Sequence, residues 1–223
     1  MIVTIDGPAG AGKSSAARAL AQRLGFEFLD TGAMYRAVAL AALRAGVNLR
    51  DEAATEALVQ ALHLQMPPGG RVLLGEEDVS TLIRTREVTM ATEASADSPV
   101  VRRRLVRMQR EIAAGRNMVC EGRDQGTLVF PDALCKFFLV ADPLERARRR
   151  QREMQARGET IELEQILREQ LRRDERDAAR DLAPMKPAED AVVLDSTHLG
   201  AEQVVAAMEQ EVRRRLKQLM ISD

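Results

Sequence analysis

Residues 7–14 have the sequence Gly7-Pro-Ala-Gly-Ala-Gly-Lys-Ser14, which fits the phosphate-binding pattern G-x-x-x-x-G-K-[ST]. The β-branched run Ile2-Val-Thr-Ile5 just before it is typical of a buried parallel strand. After it, alanine and leucine recur at helical spacing, at Ala16, Ala17, Leu20, Ala21 and Leu24. Strand, glycine-rich turn and helix form the setting in which this pattern binds phosphate, whereas a chance match is expected about once per hundred chains of this length. We therefore predict a P-loop.

The residue types of this loop suit the phosphates of ATP. Its glycines let backbone N–H groups converge on phosphate oxygens, and the helix N-terminus adds a partial positive charge. Lys13 is expected to reach the outer phosphates, and the Ser14 hydroxyl is expected to ligate Mg²⁺. The predicted ATP-binding residues are Gly7, Pro8, Ala9, Gly10, Ala11, Gly12, Lys13, Ser14, Ser15 and Arg149.

The composition is that of an ordinary globular protein. The 223 residues suffice for one domain, and 45% are hydrophobic and 30% charged. No apolar run approaches the roughly 18 residues of a membrane span, and no export signal is visible, so we expect a cytoplasmic protein. Cys120 and Cys135 fit neither a metal site nor a disulfide framework. The net charge of −1 argues against nucleic-acid binding as the main role.

Arginine dominates the basic residues: the four lysines leave 29 arginines among 33 basic side chains. The planar guanidinium fork suits bidentate contacts with phosphate. A genome biased toward arginine codons would give the same excess, so both explanations stay open. Position in the fold must therefore decide which arginines bind a ligand.

Strand-like and helical segments alternate along the chain. The predicted strands are residues 2–5, 26–30, 117–121, 136–140 and 191–195, and the predicted helices are residues 15–24, 31–45 and 201–219. This alternation predicts an α/β fold of three layers (α/β/α) with a parallel five-stranded sheet, in which ligands bind at the carboxyl ends of the strands. The predicted core stripe of the last helix is Val205, Met208, Val212, Leu216 and Leu219.

Two stretches interrupt the alternation. Pro67-Pro-Gly-Gly70 is a turn signal, and the strand-like residues 71–75 and 76–80 after it predict a small antiparallel β insertion. An arginine-rich helix is predicted to end at Gly158. We interpret its arginines as part of a mobile helical lid that closes over ATP; they are Arg146, Arg148, Arg149 and Arg150.

Polar side chains follow two of the predicted strands. Asp30-Thr-Gly32 ends the second strand, and Tyr35-Arg36 follows one helical turn later. Thr31 is expected to cap the helix, and its hydroxyl and Arg36 lie where a second phosphate could bind. Taken alone, a capped helix with a surface arginine is the better explanation of these residues. The third strand ends in Glu121-Gly-Arg-Asp124, where Glu121 is a candidate for holding Mg²⁺ through water.

A late helix carries charges on one face, because Arg173, Arg176, Asp177 and Arg180 are spaced i, i+3, i+4 and i+7. Three guanidinium groups around one carboxylate repel each other unless an anion joins them. A solvated face is the commoner explanation of a lone charge run. The P-loop elsewhere in the chain shifts the balance toward phosphate contacts. Arg123 and Asp124 are either site residues or a surface ion pair.

Taken together, these residues resemble the bacterial cytidylate kinase family of the P-loop nucleoside monophosphate kinase superfamily. The similarity runs over nearly the whole chain. It rests on 5–14, Leu29-Asp-Thr-Gly-Ala-Met-Tyr-Arg36, Glu77-Asp-Val-Ser80, Ile83-Arg84, Gly122-Arg-Asp-Gln-Gly-Thr127, Val129-Phe-Pro-Asp132, 173–177 with Arg180, and Asp190-Ala-Val-Val-Leu-Asp-Ser196. The P-loop alone is shared by many functions, whereas its combination with the Asp-Thr-Gly and Gly-Arg-Asp stretches is far more specific.

The resemblance implies transfer of the ATP γ-phosphate to CMP or dCMP, with Mg²⁺ as cofactor. It implies catalytic roles for Lys13, Arg123, Arg173 and Arg176. The implied CMP-binding residues are Asp30, Thr31, Tyr35, Arg36, Arg102, Arg123, Asp124, Arg173, Asp177 and Arg180. Among them, Arg102 and Asp124 would read the cytosine edge. The implied organisation is a single kinase domain of residues 1–223, whose core comprises about 1–60, 87–147 and 161–223. Two segments would interrupt this core: a monophosphate-binding insertion at about 61–86 and a lid at about 148–160.

The chain departs from the family pattern at two positions. Glu93 stands where many relatives carry a base-binding serine; its carboxylate could accept a hydrogen bond from the cytosine amino group, or Ser95 could substitute. Glu121 stands where aspartate is usual. A kinase for another acceptor, such as UMP or shikimate, and a nucleotide-dependent switch are the alternatives, although the guanine-reading Asn-Lys-x-Asp is absent from the sequence. We expect a monomer that binds ATP and CMP or dCMP, but neither nucleic acid nor membranes.

Overall fold

The computed structural model describes residues 1–156 and 158–222, so residue 157 of the predicted lid lies outside the described residues. The elements follow one another as β1 (Ile2–Asp6), α1 (Lys13–Leu24), β2 (Glu27–Asp30), α2 (Thr31–Ala45), α3 (Glu52–Gln60), β3 (Leu64–Gln65), β4 (Leu73–Leu74), β5 (Glu77–Asp78), α4 (Arg86–Asp97), α5 (Pro99–Ala113), β6 (Met118–Glu121), β7 (Cys135–Val140), α6 (Pro143–Gln155), α7 (Leu163–Ala178), β8 (Val192–Asp195) and α8 (Ala201–Ser222). A 3₁₀ turn (Leu82–Arg84) precedes α4, and a π-helical turn (Gln125–Val129) follows β6.

The predicted α/β class is confirmed. Five strands form one sheet in the order β2-β6-β1-β7-β8. Strand β1 is central: Val3 lies opposite Val119 of β6 on one side and Cys135 of β7 on the other, and both pairings are parallel. Because all of these strands run the same way, β1, β6 and β7 end at the same edge of the sheet, which is where α/β proteins bind their ligands.

Two compact units make up the chain. The first comprises residues 1–26 and the described residues from 116 onward, and the second comprises residues 27–115. In the first unit, α1 packs against β6 and α8, and α6 packs against α7. Its core contains Val3, Ile5 and Leu20, which are fully buried. In the second unit, α2 packs against α4, and α3 packs against α5.

The apolar stripe of α8 is confirmed in its first part only. Val205, Met208 and Val212 are buried, but Leu219 is 51% exposed. The reason is length: the 22 residues of α8 span about 33 Å, whereas the six residues of β7 span about 20 Å. The last turns of the helix therefore extend beyond the strand on which its middle packs.

The predicted antiparallel insertion is present as a three-stranded sheet, β3-β4-β5. Leu73 pairs with Gln65 on one side and with Asp78 on the other. The strands are shorter than predicted, at two residues each, and β3 was missed because Leu64-Gln65 is too short to show an alternating pattern.

The arginine-rich helix is longer than a lid of residues 148–160 implies. Helix α6 starts at Pro143, where the Asp142 carboxylate accepts hydrogen bonds from the backbone N–H groups of Leu144 and Glu145. It ends at Gln155, three residues before the predicted end at Gly158. None of the helices in the described ranges combines the length and apolar character that a membrane crossing would need.

Candidate active site

The P-loop connects β1 to α1, and its first glycine is required by packing. Gly7 has φ +135°, a backbone conformation that other residues rarely adopt. A Cβ at this position would lie 2.1 Å from the carbonyl oxygen of Leu139, in the backbone of β7. The loop can therefore leave β1 along this path only with glycine here.

Donors from the rest of the first unit hold three carbonyl groups of the loop. Lys13 donates to the Pro8 carbonyl (2.7 Å), Arg146 to the Ala9 carbonyl (3.0 Å) and Ser196 to the Ala11 carbonyl (3.1 Å). A carbonyl fixed in this way turns the N–H of the same peptide unit to the opposite side, since the peptide is planar and trans. The arrangement suits a loop that binds phosphate oxygens through its amides.

Lys13 is a buried cation in a basic neighbourhood. Burial lowers its pKa well below the usual range, and the nearby Arg123 guanidinium lowers it further. An anion bound at the loop would favour the charged ammonium and so oppose both effects. The lysine is therefore suited to a phosphate that carries several negative charges.

Ser14 and Glu121 come together, as the magnesium prediction requires. The Ser14 hydroxyl donates to Oε2 of the Glu121 carboxylate over 2.8 Å, and Glu121 is buried at the carboxyl end of β6. A hydroxyl and a carboxylate are ligands of the kind that Mg²⁺ takes beside phosphate oxygens and water. The donor set therefore fits Mg²⁺.

A buried carboxylate, Asp177, lies among arginines at the end of α7. Arg180 approaches it to 2.7 Å and Arg123 to 3.2 Å, and Arg173 and Arg176 are each 3.9 Å away. Arg173, Arg176 and Asp177 lie on α7 as predicted, whereas Arg180 lies beyond the helix, which ends at Ala178, and reaches Asp177 from there; Arg123 joins them from the loop after β6. We name these five residues the Asp177 cluster. Taken by themselves, these five residues carry four positive formal charges and one negative one, a balance suited to phosphate.

Sequence reasoning missed Asp6, the last residue of β1. Its carboxylate accepts hydrogen bonds from the backbone N–H groups of Gln125 (2.9 Å) and Gly126 (2.7 Å). Burial raises its pKa to about 6, although both amide bonds lower it. Asp6 thereby ties the loop that carries Arg123 and Asp124 to the strand that precedes the P-loop. The available signal was an acid directly after a buried strand, at the sheet edge where ligands bind.

The second unit holds the other predicted acceptor residues. Helix α2 is capped by Asp30, whose carboxylate accepts from the Ala33 N–H (2.9 Å), so the prediction that Thr31 caps it was wrong. Both residue types cap helices well, and sequence does not settle such a boundary to within one residue. Thr31 is instead the buried first residue of the helix.

Arg36 and Arg102 are held in place by contacts within the second unit. Arg36 donates to the Thr89 hydroxyl (2.7 Å) and to the Ile83 carbonyl (3.2 Å). The guanidinium of buried Arg102 lies 5.7 Å from the centre of the Tyr35 ring and donates to the Ala96 carbonyl (3.1 Å). The structure thus brings Tyr35 and Arg102 together.

The comparison with known families supplies the decisive observation. Residues 3–214 match the family model described as cytidylate kinase. The chain belongs to the cytidylate kinase family. It is 49% identical to a cytidylate kinase of Citrifermentans bemidjiense over 98% of this chain and 95% of that one, and 45% identical to one of Carboxydothermus hydrogenoformans over 96% and 98%. A gluconokinase structure from Sinorhizobium meliloti 1021 shares the fold, with TM-score 0.51, 15% identity and coverage of 99% and 96%.

Two expectations drawn from the cytidylate kinase family can be compared with the geometry. Ser95 is fully buried, and its hydroxyl lies 2.9 Å from each of the Tyr35 and Thr92 carbonyls, so it does not substitute as a base-binding residue. Of the two alternatives, exposed Glu93 is the one that remains.

The predicted lid arginines of this cytidylate kinase family member differ in their surroundings. Arg146 is buried and bonded to Ala9 and Asp174, so it supports the P-loop. Arg149 donates to the hydroxyl (3.0 Å) and carbonyl (2.5 Å) oxygens of Ser196, whereas Arg148 is exposed. Lid movement stays a prediction.

Proposed function

We propose that the chain transfers the γ-phosphate of ATP to CMP or dCMP and yields ADP with CDP or dCDP. The observation that carries this proposal is the pairing of a glycine-built P-loop with the Asp177 cluster, both in the first unit. Such transfer needs two phosphate-binding sets of residues and neutralisation of charge spread over the transferred group. Membership of the cytidylate kinase family selects the acceptor.

The P-loop residues would hold the donor. Backbone N–H groups of residues 9–15 would bind the β- and γ-phosphates, and Lys13 would neutralise charge on the phosphoryl group as it is transferred from one nucleotide to the other. Arg149 would contribute from α6 at the ATP side. No general base is needed, because the attacking atom is an oxygen of an already anionic phosphate. The enzyme's task is therefore alignment, neutralisation and exclusion of water.

The arginines would hold the acceptor and the transferred group. Arg123, Arg173 and Arg176 neutralise charge in the transition state, and Asp177 keeps their guanidinium groups ordered. The proposed CMP-binding residues are Asp30, Thr31, Tyr35, Arg36, Arg102, Arg123, Asp124, Arg173, Asp177 and Arg180. The buried positions of Arg102 and Asp124 support roles in recognition rather than in solvation.

Ser14 and Glu121 would hold Mg²⁺, Ser14 directly and Glu121 directly or through a water molecule. When bound, the ion supplies positive charge to the β- and γ-phosphates. The 2.8 Å contact between the two side chains supports this assignment, because a ligand oxygen of each is already directed to one point.

UMP is the alternative acceptor, and Glu93 bears on the choice. Cytosine presents an amino donor where uracil presents a carbonyl acceptor. A carboxylate near that position accepts from the amino group and repels the carbonyl, so Glu93 favours CMP over UMP if it faces the base. Shikimate lacks the base altogether and is the more distant alternative.

The test is ADP production from Mg·ATP with CMP, dCMP, UMP, AMP, GMP and shikimate offered separately. We expect fast turnover with CMP and dCMP only. Lys13→Ala should abolish it, and Lys217→Ala, which removes an exposed lysine of α8, should leave it unchanged. ADP production that is independent of any acceptor, or fastest with a different acceptor, would contradict the proposal.

The oligomeric state, the location, the partners and the two segments that interrupt the domain are also matters of proposal. We propose a cytoplasmic monomer without nucleic-acid or membrane partners; the net charge of −1 and the aromatic content of 3% support the absence of a nucleic-acid partner. We also propose a monophosphate-binding insertion at about 61–86 and a lid at about 148–160 within one kinase domain. Gel filtration with light scattering tests the oligomeric state, and limited proteolysis with and without nucleotides tests the two mobile segments.

A further inference from the structure

A cavity of about 320 Å³ lies between α3 and α5 in the second unit. Three arginines of α5 form one wall, Arg103, Arg104 and Arg107, and the opposite wall carries Glu56 and Gln60 of α3. One valine from each helix closes the cavity at the base. The volume is at the lower end of the range of about 300–1,000 Å³ that small-molecule sites occupy.

These three arginines lack acidic partners. Within the residues that the structure describes, none of the three forms an ion pair or a side-chain hydrogen bond. The only carboxylate at the cavity, Glu56, accepts a hydrogen bond from Gln60 (2.9 Å) instead. This contrasts with α8, where Arg213, Arg214 and Arg215 each bind a glutamate. The cavity wall therefore keeps a net positive charge that the protein itself does not neutralise.

The cavity is distinct from the part of α5 assigned to the acceptor. Arg102 turns toward Tyr35. Since each residue advances a helix by about 100°, Arg103, Arg104 and Arg107 lie about 100° to 200° around the axis from Arg102. Arg107 is four residues from Arg103 and three from Arg104, so it neighbours both on the helix surface, and all three side chains line the cavity.

We propose that this cavity is a second anion site that binds an oligophosphate chain, either free or as part of a nucleotide. Guanidinium forks bind phosphate oxygens in pairs, and three of them suit a chain of several phosphates better than a single charge. Gln60 and Glu56 stand opposite, where an amide donor and a carboxylate acceptor can contact the polar remainder of a ligand. The site is separate from the P-loop and does not depend on the proposed reaction.

Calorimetric titration of full-length protein with tripolyphosphate tests the proposal. All proteins carry Lys13→Ala, which weakens the P-loop site. Arg103→Gln with Arg107→Gln removes two cavity arginines, and Arg50→Gln with Arg110→Gln is the matched control, because it removes two exposed arginines of the same unit. We expect the cavity pair to weaken binding at least tenfold or to remove one equivalent, while the control pair changes the dissociation constant less than twofold.

Equal binding by the cavity pair and the control pair, or no binding by the Lys13→Ala protein, would overturn the proposal. Titration with ATP and with cytidine distinguishes the two sources: ATP binding tighter than tripolyphosphate identifies a nucleotide, and equal affinities identify the phosphate chain alone. In the wild-type background, Arg103→Gln with Arg107→Gln should retain kinase activity. Loss of turnover there with an unchanged melting temperature would assign the cavity to the active site and overturn a separate role.

Discussion

Two loops at the same edge of the sheet hold the charged residues of the first unit, but they are fixed in different ways. The P-loop contains much of what shapes it, because Gly7 permits a path that a side chain would block and Lys13 bonds back to Pro8; Arg146 and Ser196 hold two further carbonyl groups from outside the loop. The loop after β6 is oriented by Asp6, which binds the amides of Gln125 and Gly126 from about 120 positions away in the sequence. The conformation of the first loop is therefore visible in its own residue types, whereas the orientation of the second is not.

This difference shows when a short sequence motif is enough to predict the conformation of a loop. The P-loop can be recognised from eight residues, since its glycines and its lysine have a fixed spacing and Lys13 bonds to the Pro8 carbonyl within the loop. The sequence of the loop after β6 contains the candidate functional residues Arg123 and Asp124, but it does not contain Asp6, which orients them. Substitutions in the two loops should therefore fail in different ways: loss of structure in the first, and loss of alignment in the second.

Gly7→Ala should give the largest effect. The added Cβ would lie 2.1 Å from a backbone oxygen of β7, so either the loop or the strand must move. We expect a loss of several kcal/mol in the free energy of unfolding and no measurable ATP binding. Thermal unfolding and nucleotide titration measure these changes.

Gly25→Ala is the control for that substitution. Gly25 also has positive φ, at +67°, but no atom lies within 4 Å of its missing Cβ. The free energy of unfolding of the Gly25→Ala variant should fall by only about 1 kcal/mol, which is the cost of a positive φ for alanine. Equal losses in the two variants would show that backbone conformation alone, and not the contact with Leu139, explains the glycine of the P-loop.

Arg123→Ala should abolish turnover while leaving the fold intact. It removes a guanidinium from the Asp177 cluster, where charge neutralisation is expected to supply about 3–4 kcal/mol, or roughly 10²–10³ in kcat. The side chain is only 20% exposed and has no packing role comparable to Gly7, so the melting temperature should change by a few degrees at most. A steady-state assay with an unchanged kcat would contradict its assignment.

Asp6→Asn sharpens the comparison, because it alters chiefly the hydrogen bonds that orient the second loop; its charge acts on Lys13 of the P-loop only as a lesser effect. The asparagine oxygen can accept from one amide, but its NH₂ group faces the other amide as a donor. We expect kcat/KM for CMP to fall about 10- to 100-fold, with ATP affinity nearly unchanged. Exposed Asp181→Asn is the charge-matched control and should behave as wild type.

The pH dependence gives a second readout for Asp6. Its pKa is raised to about 6, so the carboxylate accepts both amides above pH 6 and takes up a proton below it. Wild-type kcat/KM should therefore decline below about pH 6, and more steeply than in the Asp6→Asn variant, which keeps only the decline caused by protonation of the CMP phosphate, whose second pKa is about 6. Because the folded state holds the proton more tightly than the unfolded chain does, wild-type stability should fall as pH rises from about 4 to 6. A flat wild-type profile would remove Asp6 from this role.

Sequence reasoning succeeded where structure is local. The boundaries of α2, the five strands and the shared helix position of Arg173 and Asp177 followed from periodicity and spacing. It failed where a contact between residues distant in the sequence determines the position of a side chain. Arg146 was placed in a lid because its neighbours are arginines, but its contacts with Ala9 and Asp174 bury it under the P-loop.

Capping and burial were the other sources of error. Asp30 and Thr31 have similar cap preferences, so the choice between them depends on which backbone N–H group is reached in the fold. Ser95 looked available for the base, yet packing of α4 against α2 buries it and bonds its hydroxyl to backbone carbonyls. Neither the Asp30 cap nor the hydrogen bonds of Ser95 can be predicted from the neighbouring residues in the sequence.

Glu93→Ser should give the smallest effect and separates base choice from phosphate binding. If the Glu93 carboxylate accepts from the cytosine amino group, a serine keeps hydrogen bonding but removes the charge, which is worth about 1 kcal/mol. We expect the KM for CMP to rise a few-fold, with kcat unchanged because neither phosphate-binding loop is touched. The ratio of UMP to CMP turnover should increase, since repulsion of the uracil carbonyl disappears. If the substitution leaves the KM for CMP and the KM for UMP unchanged, Glu93 is not a base-binding residue, and selectivity rests with Arg102 and Asp124.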